Sequence, residues 1–129
     1  MACILIVDDE PTNLLVAITV LEAAGHRVLS AASGPEAIEM AHAEVPDLVL
    51  MDVQMPGMDG IQALSLLRAD PRTAALMVCA LTAYAMSGDR ERLLAAGFDG
   101  YIEKPLRYKI FLDIVRDLLV RATATRGCA

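Results

Sequence analysis

The 129-residue sequence lacks the long apolar runs and paired cysteines that mark membrane and secreted proteins. Its longest apolar runs fall well short of the roughly 18 residues that a membrane-spanning helix needs. The start of the chain also lacks the basic region of a signal peptide. Three cysteines without metal-ligand spacing argue against a disulfide framework and indicate a reducing compartment. We therefore expect a cytoplasmic protein that does not interact with membranes.

Basic side chains are few and dispersed. Eleven Lys and Arg against 17 Asp and Glu give a net charge of −6 at pH 7, and no cluster of positive charge interrupts that balance. Because such a chain repels phosphate backbones, direct binding to nucleic acid is not expected. A glycine-rich phosphate-binding loop is also missing, since acidic residues follow the first apolar run. This disfavours a nucleotide-binding domain.

Five short apolar runs alternate with five helical patterns along the chain. The length suits one domain, which we place at residues 1–122, followed by a short C-terminal tail at 123–129. The runs ending at Val7, Met51 and Leu81 are apolar throughout, which predicts central strands, whereas the runs at 27–31 and 101–102 are weaker and predict edge strands. Right-handed crossovers then favour a three-layer, doubly wound α/β fold of the flavodoxin-like type, with a parallel sheet of order 2-1-3-4-5.

Proline, capping and turn residues indicate where the helices begin. Pro11 suits the first turn of a helix, where its missing N–H is not needed. Ser33 and Glu36 have the spacing of a capping box, in which two side chains satisfy two backbone amides reciprocally. Asp59-Gly60 predicts a turn and the start of the third helix.

Polar residues follow four of the predicted strands. The first apolar run ends in Asp8 and Asp9, the third in Asp52 and the fourth in Thr82, while Lys104 follows the fifth. The carboxyl ends of parallel strands share one edge of a sheet, and ligands bind there where the strand order reverses. We therefore expect these side chains to meet at one pocket.

Three carboxylates in one pocket require a cation, because each pair at ~4 Å repels by roughly 4 kcal/mol at an effective dielectric of about 20. Oxygen ligands suit Mg²⁺, or Mn²⁺ in its place. Lys104 supplies a further positive charge, and the Thr82 hydroxyl can donate to an incoming oxyanion. A cation, an ammonium group and a hydroxyl around Asp52 are what phosphoryl transfer to that carboxylate needs.

These residues, in this order and spacing, resemble the receiver domain of two-component response regulators, the CheY-like superfamily. The resemblance rests on Asp8-Asp9, on Asp52 followed by residues 55–60 (MPGMDG), on residues 82–83 and on residues 104–105, and it covers residues 2–121. Residues 82–89 resemble single-domain receivers of the cell-division regulator type and the receivers attached to hybrid kinases.

The resemblance implies that Asp52 accepts a phosphoryl group from a histidine kinase or a histidine phosphotransfer protein. It implies that Asp9, Asp52 and the backbone carbonyl of Gln54 ligate magnesium and that Asp8 acts through a bound water. A cis peptide before Pro105 is implied as well.

The resemblance also implies a switch. Thr82 would follow the phosphoryl group and Tyr101 would turn inward behind it, reshaping the face of the fourth helix, fifth strand and fifth helix for a downstream protein effector. The chain would then be a signalling module that catalyses only its own phosphorylation and dephosphorylation, not an enzyme acting on other substrates.

Two other functions compete with this one. An aspartate-dependent phosphatase of the dehalogenase type also uses an aspartyl phosphate and magnesium, but it requires an Asp two residues after the nucleophile, where this chain has Gln54. A constitutive interaction domain would not need the acidic residues, Thr82 and Lys104 together. Taken singly, however, Asp8 or Thr82 could be a helix cap, Lys104 a solvated lysine and Tyr101 a core residue.

Overall fold

Strands and helices alternate strictly along the chain. The computed structural model describes residues 2–83, 87–104 and 107–126. Its elements are β1 (Cys3–Val7), α1 (Pro11–Ala23), β2 (Arg27–Ala31), α2 (Gly34–Glu44), β3 (Leu48–Asp52), α3 (Gly60–Ala69), β4 (Val78–Thr82), α4 (Ser87–Ala96), β5 (Gly100–Glu103) and α5 (Tyr108–Arg126). Residues 84–86 and 105–106 lie outside the described residues, so the cis peptide implied before Pro105 is not described.

The five strands form one parallel sheet in the order β2-β1-β3-β4-β5, which confirms the predicted topology. Every residue of β3 and β4 is buried, as are four of the five residues of β1, whereas β2 and β5 keep exposed or half-buried positions. The three strands predicted to be central are central, and they are buried because helices cover both faces of the sheet there.

Successive strand residues point to opposite faces of the sheet, and each face has its own hydrophobic core. Leu5 packs on the face covered by α2, α3 and α4, in the cluster that contains Leu64. Its neighbour Ile4 packs on the other face, in the cluster that contains Leu21 of α1 and Phe111 of α5. Both cores hold the strands at the positions from which their carboxyl ends meet at one edge.

The capping of α2 and α3 differs from the prediction. Ser33 caps α2 by accepting a hydrogen bond from the Glu36 amide at 3.4 Å, but the Glu36 carboxylate accepts from the amide of Ala32 and not from that of Ser33. The capping box predicted at Ser33 is therefore incomplete. A complete box begins α3, where the Asp59 carboxylate accepts from the Gln62 amide at 2.8 Å and the Gln62 side chain accepts from the Asp59 amide at 3.0 Å.

The last helix is longer than expected. We placed the end of the domain at residue 122, whereas α5 continues through Arg126, and residues 127–129 lie outside the described residues. The division into domain and tail stays a prediction. Among the described residues, no helix combines the length and the apolar character that crossing a bilayer requires.

Candidate functional site

Three carboxylates and one ammonium group meet at the carboxyl end of the sheet. Asp8 and Asp9 follow β1 and Asp52 ends β3, and each offers an oxygen within 4.8 Å of the others. Lys104 follows β5, and its Nζ lies 2.9 Å from Oδ2 of Asp8 and 3.1 Å from Oδ2 of Asp52. The structure thus brings together residues that are up to 96 positions apart in sequence.

The depth of the three acids differs. Asp8 is 2% exposed and Asp52 is 5% exposed, whereas Asp9 is exposed at the rim. Lys104 is half-buried between the two deep carboxylates, where its ammonium group contacts both. The site therefore combines two carboxylates that are shielded from water with a third that is open to solvent.

The backbone holds one oxygen of each deep carboxylate. The amide of Glu10 donates to Oδ1 of Asp8 at 2.9 Å, and the amide of Gln54 donates to Oδ1 of Asp52 at 3.1 Å. Each hydrogen bond spans two residues, so the loop that leaves each strand orients the side chain at its end. Oδ2 of each carboxylate then lies toward Lys104.

Thr82 and Tyr101 lie on the last two strands of the sheet, β4 and β5. Thr82 is the final residue of β4 and is buried, and its carbonyl oxygen accepts a hydrogen bond of 2.7 Å from the amide of Lys104. Tyr101 is half-buried in β5 and packs against the core on the α2–α3–α4 side. It also lines a cleft of about 670 Å³ between α4 and α5, together with Leu94 and Ile110.

Burial and neighbouring charges shift the pKa values of Asp52 and Lys104. Burial raises the pKa of Asp52, Lys104 lowers it through a hydrogen bond and its charge, and the charge of Asp8 raises it, with a net rise. Burial lowers the pKa of Lys104, but the hydrogen bonds that its ammonium group donates to Asp8 and Asp52, together with the charges of these two carboxylates, outweigh burial and raise it. Lys104 is therefore held as a cation, while Asp52 is a more basic carboxylate than usual.

The donor set fits a divalent cation. Three carboxylates against one ammonium group leave an excess of two negative charges, and all the ligand atoms are hard oxygens. Their separation of 4.8 Å or less is close to the roughly 4.2 Å between opposite ligands of an octahedral Mg²⁺ ion. Bringing the oxygens onto such an ion therefore requires only small side-chain adjustments.

The central strand of this parallel sheet ends in a buried aspartate with a raised pKa, and two further acids and a lysine flank it. This is the arrangement of a signalling domain that carries phosphate on an aspartate. The family model of the response regulator receiver domain matches residues 4–116. The chain belongs to this family, which confirms the resemblance carried by its motifs.

Relatives from two kinds of protein match most of the chain. The sensor protein GacS of Pseudomonas syringae pv. syringae is 43% identical over 115 residues, which are 87% of this chain but 13% of that protein. The polar-differentiation response regulator DivK of Brucella ovis is 34% identical over 116 residues, 90% of this chain and 94% of DivK. Similar domains thus occur both within a much longer sensor protein and as nearly the whole of a small regulator.

A solved structure extends the comparison to the site. The receiver domain of the sensor histidine kinase PA1611 from Pseudomonas aeruginosa PAO1 superimposes with a TM-score of 0.84 at 35% identity, covering 92% of this chain and 97% of that domain. That structure has a magnesium ion coordinated in its active-site cleft.

The family and the acidic cluster together define the function at the level of class. The chain is a phosphoacceptor receiver domain of a two-component system, a signalling module of a family that interacts with histidine kinases or phosphotransfer proteins. None of these similarities supports the phosphatase alternative, and position 54 carries Gln54 in place of the Asp that such an enzyme needs.

Proposed function

We propose that Asp52 is the residue that accepts the phosphoryl group, from a histidine kinase or a histidine phosphotransfer protein. The observation that supports this choice is that Asp52 ends the central strand β3, is 5% exposed and has a pKa that is raised chiefly by burial. A more basic carboxylate is a better nucleophile toward phosphorus. Asp52 Oδ2 forms the new P–O bond as the P–N bond of phosphohistidine breaks, and the imidazole nitrogen leaves with the electron pair and takes up a proton.

We further propose that magnesium is held by Asp9, Asp52 and the backbone carbonyl of Gln54, with Asp8 acting through a water. The convergence of three carboxylate oxygens within 4.8 Å supports this assignment, and manganese would suit the same oxygen donors. When bound, the metal supplies positive charge that offsets the repulsion between the carboxylates and a phosphoryl group. Asp8, which is fully buried, is kept in place by Lys104 and the Glu10 amide.

In this proposal Lys104 stabilises the phosphoryl group. In the unphosphorylated protein its ammonium group lies 3.1 Å from Oδ2 of Asp52, the oxygen that would bond to phosphorus. Phosphorylation turns this oxygen into the uncharged bridging oxygen of an acyl phosphate, so the ammonium group is expected to bind a phosphoryl oxygen instead. The position of Thr82 at the buried end of β4 supports a second donor, its hydroxyl, for the same group.

The switch is proposed to run from Thr82 to Tyr101. Thr82 follows the phosphoryl group, and Tyr101 on the neighbouring strand moves inward, which changes the cleft between α4 and α5 that Tyr101 lines. A downstream protein effector would bind the α4–β5–α5 face in one of the two states. We also propose a cytoplasmic protein that binds neither membranes nor nucleic acid. The net charge of −6 and the free cysteines Cys3 and Cys79 support this proposal.

Chemical phosphorylation tests the assignment of Asp52. Acetyl phosphate with Mg²⁺ is expected to add one phosphoryl group to the wild type and none to Asp52→Asn, as measured by intact mass. Asp113→Asn, which changes an exposed acid on α5, is the matched control and is expected to be labelled like the wild type. Equal labelling of Asp52→Asn and the wild type would contradict the assignment, and so would a wild type that is not labelled.

A further inference from the structure

We propose that Gly60 is a positioning residue of the phosphoacceptor site, because its missing side chain allows the first turn of α3 to lie directly against the backbone of Asp52 and Val53. This inference rests on the proposed function of Asp52. A Cβ atom at Gly60 would lie well inside contact distance of the Asp52 carbonyl oxygen and 2.8 Å from the Cα of Val53. The structure therefore has no room for any side chain at this position.

The requirement at Gly60 is one of space. Among the described residues, the glycines with positive φ are Gly25, Gly57 and Gly97, so the backbone conformation of Gly60 is one that other residues adopt. The atoms that a Cβ would meet belong to the main chain, which cannot rotate away as a side chain can. Relief would require the backbone at the end of β3 to move.

That backbone is held on both sides. The amide of Gly60 donates to the Val53 carbonyl oxygen at 2.9 Å, and the amide of Val53 donates to the Leu81 carbonyl oxygen of β4 at 3.0 Å. The capping box of Asp59 and Gln62 orders the turn of α3 that contains Gly60. The segment is therefore held by a neighbouring strand on one side and by the start of a helix on the other.

The same segment carries the acceptor and a proposed metal ligand. Asp52 provides the carboxylate, and Gln54 provides both the amide that orients this carboxylate at 3.1 Å and the carbonyl proposed to bind magnesium. Displacing Val53, which joins the two, changes the separation between carboxylate and carbonyl. Since octahedral Mg²⁺ tolerates little deviation from its ligand distances, metal affinity is the property that should respond.

Gly34 provides a matched control. It is the first residue of α2, as Gly60 is of α3, and it is also buried. A Cβ at Gly34 would meet the Sδ of Met58 at 2.7 Å, its Cγ at 2.9 Å and its Cβ at 3.1 Å. The two nearest atoms belong to the flexible part of a side chain that can change rotamer, and the third requires a shift of a few tenths of an ångström. Gly34→Ala therefore makes the same chemical change at an equivalent helix position without moving the backbone of the acceptor.

The experiment measures Mg²⁺ affinity by calorimetry and unfolding by urea in the same proteins. Gly60→Ala is expected to raise the Mg²⁺ Kd by about tenfold or more, as loss of a supporting contact does at other metal sites, while Gly34→Ala leaves it unchanged. A purely structural role would lower the unfolding midpoint of Gly60→Ala and leave its Mg²⁺ Kd equal to that of the wild type, and this result would overturn the proposal. A wild type that neither binds Mg²⁺ nor is labelled at Asp52 would instead refute the proposed function.

A second pair of variants covers the case in which Gly60→Ala does not fold. Asp59→Ala removes the cap that orders the first turn of α3, whereas Asp59→Asn removes the same charge and keeps a good cap. Asp59→Ala is expected to bind Mg²⁺ about threefold or more weakly than Asp59→Asn, in line with the usual effect of losing a cap. Equal Mg²⁺ affinities of these two variants would overturn the proposal.

Discussion

Replacing Asp52 with asparagine is expected to stabilise the metal-free protein at pH 7. The wild-type side chain is 5% exposed, and its charge lies within 4.8 Å of oxygens of Asp8 and Asp9. Asparagine has the same shape and keeps an oxygen that can accept from the Gln54 amide. The substitution therefore removes a buried charge and leaves the local geometry in place.

The size of the effect follows from the distances. At an effective dielectric of about 20, two like charges within 4.8 Å repel by about 3.5 kcal/mol or more, so Asp8 and Asp9 together oppose the charge of Asp52 by about 7 kcal/mol. The attraction between the Lys104 ammonium and Asp52 at 3.1 Å offsets about 5 kcal/mol of this repulsion. Because Asp9 is exposed and solvent weakens its share, the repulsion and the attraction nearly cancel. The cost of burying the Asp52 charge, the main cause of its raised pKa, then remains, and we expect a net gain of about 1–2 kcal/mol for Asp52→Asn.

The pH dependence has a defined sign. Burial, with the charge of Asp8, raises the folded-state pKa of Asp52 above its ordinary value of 3.8. The folded wild type thus binds this proton more tightly than the unfolded chain, and its stability falls as pH rises through the folded-state pKa. The advantage of Asp52→Asn is therefore complete above that pKa and disappears below 3.8.

Urea unfolding with EDTA, followed by circular dichroism, measures this difference. Asp113→Asn, a control on an exposed helix surface, is expected to change the free energy of unfolding by less than about 0.5 kcal/mol. Magnesium should then stabilise the wild type by about 2.7 kcal/mol at 100 times its Kd, with a much smaller effect on Asp52→Asn. If Asp52→Asn without metal is no more stable than the wild type, the electrostatic reasoning is wrong.

Two further substitutions test the structure elsewhere. Lys104→Ala leaves Asp8 and Asp52 without their counter-ion and is expected to lower the free energy of unfolding in EDTA by about 3 kcal/mol. Adding Asp52→Asn should recover much of this loss. Strictly additive effects of the two substitutions in urea unfolding would contradict an interaction between Lys104 and Asp52. Val45, the residue that caps the C-terminus of α2, adopts the left-handed conformation, with a φ of 43° that disfavours a β-branched residue. Val45→Gly is expected to raise the unfolding free energy by about 0.5 kcal/mol, and a lower thermal midpoint would show that the lost side-chain contacts matter more.

Local sequence patterns were sufficient to predict the sheet. A strand that is buried on both faces has apolar residues at successive positions, which is why the continuous apolar runs ending at Val7 and Leu81 identified central strands. The change from apolar to acidic residues likewise marked the ends of the strands that carry Asp8 and Asp52. With a parallel order fixed by crossover handedness, the carboxyl ends had to share one edge.

Contacts between distant segments depended on the tertiary structure. The Lys104 ammonium bridges Asp8 and Asp52, and Gly60 lies against the backbone of Asp52. Both contacts depend on the distances between packed elements to within about an ångström. The tertiary structure also decided which helix has a complete capping box: the residue types favour Ser33, but the complete box is at Asp59. Hydrophobic patterning specifies which side chains are buried, but the distance between two buried groups is decided only when the whole core has packed.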